Sequence, residues 1–97
     1  MIMKKVLKLV EIKLDVIGVI PSCPRCKQTE NNAINAAARL FEEGITVLVN
    51  KLDITSKETI SKYGIVASPA IAINGVVKIM GQVPSVAMIE RVAKDEL

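Results

Sequence analysis

The chain has 97 residues, 51% of them hydrophobic and only 2% aromatic, with 13 basic and 10 acidic side chains for a net charge of +3. That length suits one domain, residues 1–97, with a core of Ile, Val, Leu and Ala. The charges are scattered, and one Tyr and one Phe offer no stacking platform, so no nucleic-acid partner is expected; nor does any stretch approach the ~20 consecutive apolar residues of a membrane span.

Residues 1–11 read as either an N-terminal arm or an extra edge strand. The start is basic and apolar, but Glu11, Lys13 and Asp15 alternate with Ile12, Leu14 and Val16, which describes a strand and not a signal peptide. The strand runs from Glu11 to Ile20 and turns fully apolar toward its end, as a central strand does.

Cys23-Pro24-Arg25-Cys26 follows, and these are the only two cysteines; there is no histidine. Two thiols at this spacing, where a strand gives way to a helix, suit reversible disulfide chemistry. The first sits where backbone N–H groups and the helix dipole favour a thiolate, and the second is one turn away, within reach to resolve a mixed disulfide. As a staple the pair is poor, since so short a loop removes only about 2 kcal/mol of unfolded-state entropy. In a chain without an export signal, the pair suggests redox work in a reducing, cytoplasmic compartment. Two alternatives stay open: a dimer sharing these thiols as ligands to a metal or iron–sulfur cluster, and a non-catalytic binding module. Arg25 is either a solvated helix-start residue or a cation that lowers the Cys23 pKa.

Pro24 suits the first turn of a helix. From there to Glu43, Ala33, Ile34, Ala37, Leu40 and Phe41 recur at helical spacing and predict the buried face, while Asn31, Asn32 and Asn35 fall on the polar side with no assigned role. Gly44 is a helix stop, and Ile45–Val49 reads as a buried strand. Thr55 and Glu58 have capping-box spacing for a short helix ending at Tyr63-Gly64. Asn74-Gly75 between two apolar runs predicts a hairpin, and Pro84 or Ser85 opens a last helix with Val86, Ile89 and Val92 or Ala93 inward. The terminal Lys94-Asp95-Glu96-Leu97 matches an ER-retention signal, but that address requires prior targeting, so it is read as the polar end of this helix. The order is β-α-β-α-β-β-α: an α/β fold with a mixed four-stranded sheet between helices on both faces.

With CxxC at the first β-to-α junction and Pro69 opening the hairpin 43 residues after Cys26, the chain resembles the thioredoxin superfamily, in particular its small thioredoxin- or glutaredoxin-like members from archaea and bacteria. The resemblance covers about residues 12 to 97 and rests on Cys23–Cys26, the stretch Tyr63–Ala70, Ile73-Asn74-Gly75 and Gly81–Ser85. It implies a thioredoxin-like three-layer fold and thiol–disulfide oxidoreductase activity without a bound cofactor. Cys23 would be the attacking thiolate, Cys26 the buried resolving thiol, and Ser68–Pro69 a cis bond whose preceding residue pairs with a substrate strand; Pro24 and Arg25 would support the site. The implied partners are disulfide-containing proteins and a thioredoxin-reductase-like flavoenzyme or another dithiol reductant, acting on a monomer. Two departures stand out. Ile17 occupies the position of the family's buried Asp, with Asp15 two residues earlier on the same strand face as its substitute. The Gly-Gly-Asp that glutathione-dependent members carry after the hairpin is replaced by Gly81-Gln82.

Overall fold

The computed structural model describes residues 10–19 and 23–97. In chain order the elements are β1 (Val10–Gly18), α1 (Pro24–Glu42), β2 (Ile45–Asp53), α2 (Lys57–Tyr63), β3 (Ala70–Ile73), β4 (Val76–Met80) and α3 (Val86–Lys94). The expected order is therefore present. The arm or edge strand expected over residues 1–11 lies outside the described residues, save that Val10 and Glu11 begin β1; so do Ile20, Pro21 and Ser22.

The sheet order is β2-β1-β3-β4. β1 pairs parallel with β2, reached by the α1 crossover, and antiparallel with β3, while β3 and β4 form the hairpin. Asn74 and Gly75 both have positive φ, 49° and 86°, the geometry of a tight turn that matches strand twist. The Asn74 amide donates to the Lys13 carbonyl, and the Lys13 amide donates to Asn74 Oδ1, which pins the turn to β1.

Strand alternation divides the interior. Ile12, Leu14 and Val16 face α1 and α3, packing with Ala33, Ala36, Leu40, Ile89 and Ala93. Ile17 faces the other way, with Ala70 and Ala72 beneath Tyr63 and Val66. The buried face of α1 is turned from the expected one: Ala33 and Leu40 are buried as expected and Ala36 joins them, but Ile34 is 57% and Phe41 68% exposed. One residue on a helix is a rotation of ~100°, and the alanines are what the close approach of α1 to the sheet accepts. β2 is longer than expected and only half buried, because it has β1 as its one sheet neighbour among the described residues; Leu48 is 42% exposed.

The α2 cap also differs. Ser56, not Thr55, is the N-cap, accepting from the Thr59 amide, and Gly64 closes the helix. Thr55 instead donates its amide and hydroxyl to Asp53, and the amide first, then the hydroxyl, holds that carboxyl below its ordinary pKa. At α3 the expected Ser85 is the cap, accepting from the Met88 amide.

Candidate active site

Cys23 is the N-cap of α1, with extended backbone (φ −79°, ψ 170°), and Pro24 takes the first helical position, where its lack of an N–H leaves no helical bond unmade. The Cys23 carbonyl accepts the first helical bond, from the Lys27 amide at 2.8 Å. Both cysteines are thiols; Cys23 is partly exposed and Cys26 is buried. In this dithiol state the Cys23 side chain closes no capping bond of full geometry. Its pKa is nonetheless held below the ordinary thiol value, chiefly by the Cys26 backbone N–H and then by the Cys26 thiol, with a smaller push from the Arg25 amide and a partial opposing effect of desolvation. Backbone donors at a helix start thus favour the thiolate over the thiol.

Cys26 owes its position to Gly18. A β-carbon placed on that glycine would lie 2.7 Å from the Cys26 Sγ and 3.3 Å from its Cβ. The end of the central strand is the seat of the buried sulfur, and only a residue without a side chain leaves room for it. This role of Gly18 was not drawn from the sequence, although a glycine inside a strand is the usual signal of close approach.

Ser68–Pro69 is a cis peptide, and Pro69 is buried. Pro69 immediately precedes β3, whose first residue pairs Ala70 with Ile17, so the register brings it to the same end of the sheet as Gly18 and its bound sulfur. The Gly81 amide donates to the Ala67 carbonyl at 3.2 Å and to the Pro69 carbonyl at 2.9 Å, holding both residues that flank Ser68. The Arg25 guanidinium donates from Nη2 to the Gly81 carbonyl at 3.1 Å. Two turns further along the helix, Asn32, to which the sequence assigns no role, donates from Nδ2 to the Pro84 carbonyl at 2.8 Å.

Asp15, the residue the resemblance offers in place of the family's buried Asp, is 5% exposed and lies on the Ile17 face of β1. Its carboxylate accepts from the Tyr63 hydroxyl and lies 3.4 Å from the Lys62 Nζ. Burial first, then the hydrogen bond to Asp15 and its charge, push the Tyr63 pKa well above the ordinary tyrosine range. The surface depression of about 520 Å³ beside α2, lined in part by Asp15, Asp53, Thr59 and Lys62, contains neither cysteine. Among the described residues, no three Cys, Asp or Glu side chains gather as metal ligands, so a metal on the two thiols would need donors from elsewhere. No helix among them is long and apolar enough to cross a membrane.

Comparison with known proteins agrees with this architecture. Two archaeal proteins named "Probable Thioredoxin" are similar to the chain. That of Methanothermobacter thermautotrophicus is 40% identical over 62 residues, covering 63% of this chain and 69% of the relative. That of Methanothermobacter marburgensis is 38% identical over 71 residues, covering 72% and 79%. Residues 10–94, nearly every residue from β1 to the end of α3, match the family described as Thioredoxin domain. With its α/β order, its mixed four-stranded sheet and this match, the chain belongs to the thioredoxin family.

Proposed function

We propose that the protein is a thiol–disulfide oxidoreductase, a protein disulfide reductase or electron carrier, that cycles Cys23 and Cys26 between dithiol and disulfide. The observation that carries this reading is the asymmetry of the pair: a partly exposed thiol with lowered pKa at a helix start, and a buried thiol one turn later. The Cys23 thiolate attacks one sulfur of a substrate disulfide; that S–S bond breaks, a mixed disulfide forms, and the first substrate thiolate leaves and takes up a proton. Cys26, after losing its proton, attacks the Cys23 sulfur and expels the second substrate thiol. Two electrons pass to the substrate and the Cys23–Cys26 disulfide remains. A thioredoxin-reductase-like flavoenzyme or another dithiol returns the two electrons, and no prosthetic group takes part.

The substrates are disulfide-containing proteins, seated as an extended strand along Ser68–Pro69, with Pro24 shaping the helix start beside them. The hold of Gly81 on the carbonyls either side of Ser68 supports this seat. The working form is a monomer in the cytoplasm. The Cys26→Ser variant tests the reading: it traps a mixed disulfide on Cys23 when challenged with a protein disulfide, visible as a mass increase that dithiothreitol reverses. Absence of any trapped species, with Cys23 still open to alkylation, refutes it.

A further inference from the structure

The Arg25 side chain, inside the CxxC motif, reaches across the fold to Gly81. Arg25 and Gly81 are 56 residues apart in sequence, yet the guanidinium donates to the Gly81 carbonyl at 3.1 Å. The Gly81 amide turns the other way, to Ala67 O and Pro69 O. These are two successive peptide units, and the φ of Gly81, +80°, sets their relative orientation; that is a left-handed conformation open mainly to glycine. The result is a chain of contacts from the helix that carries the thiols, through one glycine, to both neighbours of Ser68. Asn32 secures the same segment at its far end through the Pro84 carbonyl, with Gln28 Nε2 donating to Asn32 Oδ1 at 3.0 Å.

From this geometry we infer that Arg25 is a positioning residue: its side chain fixes the Ser68–Pro69 loop relative to Cys23 by clamping Gly81, and through that loop it sets how well a protein disulfide docks. The inference rests on the disulfide reductase reading for its substrate, while the clamp itself is a property of the fold. Docking draws on the guanidinium. Lysine would keep the charge but not the planar fork that reaches a carbonyl from this position.

The test compares the wild type with Arg25→Met and Arg25→Lys. Three readouts are taken: the pH dependence of Cys23 alkylation by iodoacetamide, KM and kcat for insulin disulfide reduction with dithiothreitol as terminal reductant, and amide hydrogen exchange over residues 66–70 and 81–84. In Arg25→Met exchange in both segments quickens, whatever the lost charge does to the alkylation midpoint. The insulin KM rises about three- to tenfold with kcat held, the fold-change expected from one lost hydrogen bond. Arg25→Lys recovers the KM only in part. A midpoint that rises in Arg25→Met and is restored by Arg25→Lys, with exchange unchanged, overturns the inference in favour of a charge effect on the thiolate. Wild-type protein that reduces no insulin sinks the reductase reading instead, and exchange alone then decides the clamp: unchanged exchange in Arg25→Met refutes it.

Discussion

Gly18→Ala introduces one methyl group at the most crowded point of the site. The new carbon would stand 2.7 Å from the Cys26 Sγ, where a relaxed contact needs about 3.5–4.0 Å, so sulfur or strand must give by ~1 Å. Overpacking of this kind costs about 1–3 kcal/mol. Losing a glycine from the unfolded chain returns about 0.4–1 kcal/mol. The net is a loss of about 1–2 kcal/mol, which for a chain of this length lowers Tm by about 5–15 °C. Far-UV circular dichroism in reducing buffer follows the melt, the chain having no tryptophan for fluorescence. The decisive arm is a double-mutant cycle with Cys26→Ala. Removing the sulfur leaves only the 3.3 Å contact to Cβ, so most of the penalty disappears on that background, a coupling of about 1–2 kcal/mol. Additivity of the two substitutions to within about 0.5 kcal/mol would show that the sulfur does not rest on Gly18.

Three further outcomes follow from the same contacts. Tyr63 is the only tyrosine, so absorbance at alkaline pH reports it alone. The folded protein shows no phenolate transition near the ordinary tyrosine pKa of about 10, and a midpoint there would contradict the buried pairing with Asp15. The unfolded chain releases that proton near pH ~10 while the folded one retains it, so this contribution to stability is complete below pH ~10 and falls as pH rises further. For Cys23, the alkylation midpoint lies below the free thiol value of about 8.5. Cys26→Ala moves it up only part of the way, because the residue-26 amide, the larger cause, persists; full return to the free value would assign the effect to the thiol instead. Ser56→Ala costs about 1 kcal/mol in urea unfolding as the α2 cap is lost, and a neutral result would remove Ser56 from that role.

Local chemistry made much of this molecule legible in its sequence. Cys23-Pro24 at the end of an apolar strand announces a helix start, and Asn74-Gly75 announces a turn whose two residues have positive φ. What the sequence hid depends on partners far along the chain. Ile34 and Phe41 look like core by size, but the sheet approaches too closely and takes Ala33 and Ala36 instead. β2 looks buried by its β-branched content, and its place at the side of the sheet follows from strand order, which no local pattern encodes. Thr55 and Ser56 are both competent caps, and the Asp53 carboxylate draws Thr55 away. Asp15 lies on the expected strand face, but its pairing with Tyr63 and Lys62 of α2 needs the whole fold in place. The Arg25–Gly81 contact needs both ends of the fold in place before it exists.

The register of β1 carries one more consequence. Leu14 to Ile17 are the residues of β1 paired on both sides, with Val49–Leu52 across one edge and Ala70–Ile73 across the other. Their amides open only when the sheet itself comes apart, so they belong to the slowest-exchanging class of the molecule. Cys26 is seated on the very next residue, Gly18, at the margin of this rigid floor. Cys23 caps α1, and Ser68 lies in the segment between α2 and β3, both outside the sheet. The buried sulfur therefore rests against the most protected part of the sheet, while the partly exposed one stands at the helix start. The floor of the molecule gives the buried sulfur a fixed address, and any change in how the two sulfurs face each other has to come from the Cys23 side.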